Sequence, residues 1–288
     1  MSTAPPSFFA PVPEGAAADA YLEDYERFLI ERNGTLGADH GFERRHELMD
    51  DLGAMPGMFD GPLDHERVQR AYVGDHDDEL TEEEMAILAF VKINAGEAYG
   101  VEVVTAARAD VHRRHEPLYR LEGILAREET FHTRMLRGVT GHVDGLHFGD
   151  GWRPPVPLKL LVFALAKAPP MLFHPIVVGA EVAGVFTFDW LLRRTHTLFP
   201  HHPEVRESME RRLIEILIDE VGHIAYNRIA VGNNGLRAGQ LLAGQVVKAQ
   251  DHMNPQAIAL GLDDARHELA GFDHASLPEE VRRRAFFV

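Results

Sequence analysis

The chain has 288 residues, 45% of them hydrophobic and 26% charged, and a formal net charge of -16. That length suits one large domain or two small ones with a real core, and the negative charge argues against nucleic acid as a partner. There is no cysteine, which excludes disulfides, iron–sulfur clusters, zinc ribbons and thiol nucleophiles.

Apolar residues recur at helical spacing, and hairpin signals are missing, so the expected class is all-α. Pro5, Pro6, Pro11 and Pro13 break up residues 1–17. That segment reads as a flexible lead with none of the basic, apolar character of a signal segment. A helix is predicted over 18–32, with Tyr21, Tyr25, Phe28 and Leu29 on one side and Asn33-Gly34 ending it. A shorter one covers 42–52. Thr81 and Glu84 form a capping box that opens a long helix over 82–112. The next helix spans 116–137, and residues 139–157, rich in glycine and proline, read as a long connection. A short apolar helix follows over 158–168 and stops at Pro169-Pro170. Pro175 opens a helix to residue 194, and a further long helix covers 204–231, closed by Gly232-Asn233-Asn234-Gly235. One or two helices and an irregular tail complete the chain. Residues 156–192 are the most apolar stretch, but charged residues and prolines interrupt them, so no membrane span is expected and the segment reads as buried helix. No linker calls for a second domain, so residues 18–288 are expected to form one.

Six residues on the long helices carry the chemistry. Glu97 shares an apolar face with Ile93, Val101 and Val104. Glu129 and His132 stand three apart beside Leu125 and Leu136. Glu181 is flanked by Val177, Val185 and Phe188. Glu220 and His223 repeat the spacing of three beside Leu213, Leu217 and Ile224. The order is therefore Glu, Glu-x-x-His, Glu, Glu-x-x-His, one set per helix. Four carboxylates can offset most of the charge of two divalent ions and bridge them, and two imidazoles give each ion a nitrogen ligand. The plainer alternative places all six on solvated faces, but isolated carboxylates on apolar stripes are costly to bury and so should be rare.

Glu97, Arg127-Glu128-Glu129-Thr130-Phe131-His132, Glu181 and Asp219-Glu220-Val221-Gly222-His223 resemble the ligand motifs of the ferritin-like diiron-carboxylate superfamily, over residues 82–231. The resemblance implies a ferritin-like four-helix bundle with additional flanking helices. It implies two bound iron ions, with manganese or a mixed iron–manganese pair as compatible substitutes. It also implies that Asp219 hydrogen-bonds His132 and that Glu128 hydrogen-bonds His223, fixing the two rings.

Departures from individual branches leave the subfamily open. Leu136 stands where radical-bearing reductase subunits have tyrosine. Ile216 replaces the extra histidine of the N-oxygenases. Val185 stands where soluble methane-type monooxygenases have threonine. A cysteine-ligated iron of the rubrerythrin kind is excluded by composition.

The expected activity is that of a cytoplasmic oxidoreductase that activates dioxygen to hydroxylate, N-oxygenate or desaturate a small organic substrate. It would draw electrons from an external ferredoxin- or reductase-type donor, and a homodimer is compatible with it. The alternatives are a ferritin- or rubrerythrin-like iron-handling protein and a metal-free relic. Gly179, Ala180, Ala183 and Gly184 are the expected lining of a substrate pocket. Close helix packing is the competing reason for residues so small. His174 lies two turns from Glu181, too far to share its metal. His112, His115, His201 and His202 read as exposed helix ends or loop residues.

Overall fold

The computed structural model describes residues 7–36, 41–56, 80–112, 114, 116–140 and 156–287. Among these the regular elements are helical and none is a strand, so the protein is all-α. In chain order they are α1 (Ala16–Asn33), α2 (Glu43–Leu52), α3 (Glu82–His112), α4 (Pro117–Thr140), α5 (Val156–Ala166), α6 (Pro170–Leu198) and α7 (Pro203–Met253). The short helices α8 (Pro255–Ala259), α9 (Leu262–Ala265) and α10 (Glu279–Arg284) follow, with two 3-10 turns between the last two. Pro5, Pro6, His115 and most of the connection expected over 139–157 lie outside the described residues.

The capping box that opens α3 has both its bonds. The Glu84 backbone N–H donates to Thr81 Oγ1 (3.2 Å), and the Thr81 N–H donates to the Glu84 carboxylate (2.8 Å). Gly34, at φ 90°, ends α1, but the Asn33 side chain turns inward instead of capping. α6 begins five residues earlier than its predicted start at Pro175. Pro170 takes the first helical turn, where a missing N–H costs nothing, and Pro175 sits inside the helix.

The predicted break after residue 231 is present as a reversal at Gly232 (φ 65°, ψ 174°), which divides α7 into two limbs. Asn227 of the first limb meets His174 of α6, and Glu220 meets Glu181, so that limb runs antiparallel to α6. Beyond Gly232 the sense changes. Gly239 approaches the Pro175 carbonyl and Ala243 approaches Gly179, so the second limb runs back alongside α6. The same reasoning orients α4. Glu129 meets His223 and the Leu118 carbonyl meets Tyr226, so α4 is antiparallel to the first limb. Arg108 pairs with Glu122 and Glu97 meets Glu129 and His132, so α3 is antiparallel to α4.

The first limb of α7 is the central element, buried continuously over 215–228. α4 and α6 flank it on the side of the acidic cluster, and α1 and α2 pack on the opposite side. One segment among the described residues, Met171–Leu198 of α6, is long and apolar enough to cross a membrane, and 56% of its most apolar window is buried within the protein.

The expectation of a flexible lead is corrected over residues 7–15. These residues form no helix, yet Phe8 is fully buried against Phe272 and Phe287. Val12 is buried with Val178 and Leu236, and its backbone is held by the Asn233 side chain. An aromatic ring that leaves water completely gains enough to fix an otherwise irregular segment.

Candidate metal centre

α3, α4, α6 and the first limb of α7 each turn one carboxylate toward a common point. Glu97, Glu129 and His132 have ligand atoms within 4.8 Å of one another, and so do Glu129, Glu181, Glu220 and His223. The two groups share Glu129, so the six residues outline two adjacent positions with one carboxylate between them.

The imidazoles face each other with ring centres 5.6 Å apart. Each directs Nδ1 into the cluster. His132 Nδ1 lies 3.0 Å from Glu129 Oε2 and 3.0 Å from Glu220 Oε1. His223 Nδ1 lies 2.8 Å from Glu129 Oε1 and 3.8 Å from Glu220 Oε2. Glu129 and Glu220 therefore each span both histidines, one oxygen toward each, whereas Glu97 and Glu181 belong to one group apiece.

Each Nε2 points away from the cluster to an acid on the facing helix. His132 Nε2 donates to Asp219 Oδ2 (3.0 Å), and His223 Nε2 donates to Glu128 Oε2 (3.2 Å). With Nε2 so engaged, Nδ1 is the nitrogen each ring presents to the acidic cluster.

The electrostatics of the cluster would suit a bound cation. Burial raises the Glu97 and Glu181 carboxyls well above their ordinary values, and the neighbouring acids push the same way, Glu220 foremost. The residual exposure of Glu97, Glu129 and Glu181 is toward the cavity they line. Burial also opposes charge on Glu129, but His132 and His223 outweigh it and hold that carboxyl low. Both imidazoles are raised despite burial, by Glu129 and by the hydrogen bonds to Asp219 and Glu128. Glu97 Oε2 is buried with no hydrogen-bond partner, and His223 Nδ1 has only carboxylates beside it, Glu129 at 2.8 Å and Glu220 at 3.8 Å. Buried polar atoms normally find a hydrogen-bond partner, and a divalent cation at either position would satisfy them and relieve the repulsion among the acids. The donor set, four carboxylates and two imidazoles, suits iron or manganese.

The sequence reading missed what holds the outer acids. Arg45 of α2 is fully buried and bridges them, donating from Nη1 to Asp219 Oδ2 (2.6 Å) and from Nη2 to Asp219 Oδ1 and Glu128 Oε1 (2.9 Å each). Asn33 donates to Glu128 Oε1 (2.7 Å) and accepts from Arg45 Nε (2.9 Å). Arg32 adds a second guanidinium against Asp219 and Glu215. Burial would raise the Asp219 carboxyl, but Arg32 and Arg45 hold it well below its ordinary value. Arg45 stands three, four and seven residues before Leu48, Met49 and Leu52, on the face of α2 that packs on the core. That place on the stripe was one available signal, and arithmetic was the other: two buried acids behind two histidines need cations.

A cavity of about 380 Å³ adjoins the cluster. Of the four small residues expected to line it, Ala180 and Gly184 do, and a side chain grown from Gly184 would meet open space. Gly179 and Ala183 are corrected. A Cβ at Gly179 would come within 3.2 Å of the Ala243 backbone, so its smallness lets α6 and the second limb of α7 approach, and Ala183 is buried in the packing. Gly96 and Gly100 of α3 form part of the cavity wall instead.

His112 is not a free helix end. Its Nε2 lies 3.1 Å from Glu122, and His174 is buried beside Asn227. His202 is part-buried, 3.6 Å from Glu83. No protein-family model, curated protein or solved structure matches the chain.

Proposed function

We propose that the chain is a ferritin-like diiron-carboxylate protein and that it works as an oxygen-activating oxidoreductase on a small organic substrate. The observation that carries this reading is the meeting of Glu97, Glu129, His132, Glu181, Glu220 and His223, with both Nδ1 atoms turned inward, at the wall of a largely apolar cavity. Two iron ions held by these residues would supply the reduction of dioxygen, with electrons from an external donor, and the oxidation of the substrate.

The chain's own contribution is placement and charge. Glu129, which belongs to both groups, would be shared between the ions, and Glu97, Glu181 and Glu220 would supply the remaining carboxylates. Asp219 and Glu128 fix both imidazoles in one orientation and increase their basicity as ligands. The apolar wall, with Val101, Leu125 and Val177, favours an apolar substrate there. An iron-storage role would need access for iron and no apolar cavity beside the cluster, so the cavity favours the oxidoreductase.

Elemental analysis after anaerobic iron loading tests the reading. The full chain should bind two ions. His132→Ala and His223→Ala should each bind one or none with helix content unchanged in circular dichroism. Retention of both ions in both variants would refute the ligand assignment.

A further inference from the structure

The cavity does not end at the carboxylates. It continues along the helices to His112, Glu122, Tyr226 and Asn227. Glu122 precedes Glu129 by seven residues on α4, His174 precedes Glu181 by seven on α6, and Asn227 follows Glu220 by seven on α7. Seven residues are two turns, about 10 Å along each axis. Three helices therefore place a second polar layer at one distance from the acidic cluster. Between the layers the wall is mostly apolar, with Val104, Leu125, Ala126 and Val177, and Thr105 of α3 is its polar member.

In the far layer the Glu122 carboxylate is paired with Arg108. Arg108 of α3 donates to both oxygens of Glu122, with its Nη2 at 2.9 Å from Oε2, and its guanidinium lies 4.3 Å from the Phe173 ring centre. His112 Nε2 is the second partner of Glu122 Oε1. Asn227 donates to the His223 carbonyl (2.9 Å), and its Oδ1 faces His174 Nδ1 (3.3 Å). An ionised carboxylate has about four acceptor sites, so Glu122 keeps acceptor capacity on the cavity side.

We infer that this far layer recognises the distal end of the substrate, and that the substrate is an apolar molecule ending in one uncharged hydrogen-bond donor such as an alcohol or primary amide. The inference rests on the oxidoreductase reading for the word substrate, although the binding site stands on the cavity alone. An anionic end would face Glu122, whose arginine partner is already engaged. A cationic end would add a second positive charge beside Arg108. A hydroxyl or amide N–H donates to Glu122 without disturbing that balance, and the apolar body spans the two layers with its other end at the carboxylates.

Calorimetric titration of the full chain, with and without iron, tests this with n-octanol, octanoate, octylammonium and toluene as probes. n-Octanol should bind at least about tenfold more tightly than octanoate or octylammonium, and Ala126→Phe should abolish its binding by filling the span between the layers. The double variant Arg108→Leu/Glu122→Leu replaces the ion pair with apolar side chains of similar volume, a change that buried pairs often tolerate. It should weaken n-octanol at least about tenfold and leave toluene binding undiminished. Octanoate binding as tightly as n-octanol, unchanged n-octanol affinity in the double variant, or no n-octanol binding by the parent chain would each overturn the inference. The iron-free titration separates the two readings. Alcohol binding with this profile in a chain that takes up no metal would refute the metal assignment and leave the recognition site standing.

Discussion

Arg45 holds two carboxylates that themselves hold the two histidines, so one side chain from α2 fixes the orientation of both rings. Arg45→Met should leave Asp219 and Glu128 buried with less compensation. Breaking a buried pair in this way costs about 3–5 kcal/mol, and disturbing the partners of ligand histidines lowers metal affinity by about 10–100-fold. Denaturant titration and competition with a chelator would measure the two effects. Arg45→Lys should not rescue either, because an ammonium cannot reproduce the planar fork that meets both acids.

Glu122 gives a pH prediction at the same scale. Burial would raise its carboxyl, but the Arg108 and His112 hydrogen bonds bring it from 4.5 down to about 2. A depressed carboxyl contributes stability that is fully present above its unfolded value and is lost as pH falls through its folded one. The contribution, up to about 3 kcal/mol at neutral pH, should therefore fade between about 4.5 and about 2. Glu122→Gln should be less stable than the parent at pH 7 by an amount that shrinks across that window, as read from denaturant midpoints.

Among the elements, the turn at Gly232 decides how much of the chain can cover the site. Its φ of 65° with ψ of 174° falls in a region nearly restricted to glycine. The reversal there lays the second limb of α7 along α6, where Gly179 and Gly239 let the backbones approach. Asn254 just beyond that limb then reaches the Ala89 carbonyl at the start of α3. Gly232→Ala should cost about 1–3 kcal/mol, measured as a lowered midpoint of thermal or denaturant unfolding, with the metal ligands untouched. An unchanged midpoint would mean that the turn relaxes to another conformation. Among the described non-glycine residues Phe42 alone has a positive φ, 68°, immediately before α2. Its ring is fully buried, stacked on Phe131 with centres 5.8 Å apart and covered by Arg127. That packing holds the conformation from which α2 delivers Arg45 to the core.

Across the whole molecule, both ends of the described chain close over the helices that back the site. Phe8 packs against Phe272 and Phe287, and Phe286 meets Tyr21, Tyr25 and Phe28 of α1. Arg284 of α10 pairs with Glu215, which also pairs with Arg32. The terminal segments thus reinforce the layer that carries the Arg45 network. Phe8→Ala should destabilise the fold by about 3–5 kcal/mol, the usual cost of emptying a fully buried aromatic site. Calorimetric unfolding would show it, and a change under about 1 kcal/mol would mean that the lead adds little.

The sequence by itself determined the helices that bear the six residues and the pairing of two histidines with two glutamates, because helical periodicity and the spacing of three are local properties. It also marked the break at Gly232 and the capping box at Thr81, whose causes lie within a few residues. Only the tertiary structure decided that Arg45 and Asn33 complete the outer shell, since their partners stand 83 to 174 positions away. It also separated Gly184, which opens on the cavity, from Gly179, which serves helix contact. Both glycines share one helix and one composition, and the difference lies in whether a second helix covers them. The chain nearest Gly179 is the second limb of α7, some sixty residues later, and no local pattern in α6 records its arrival.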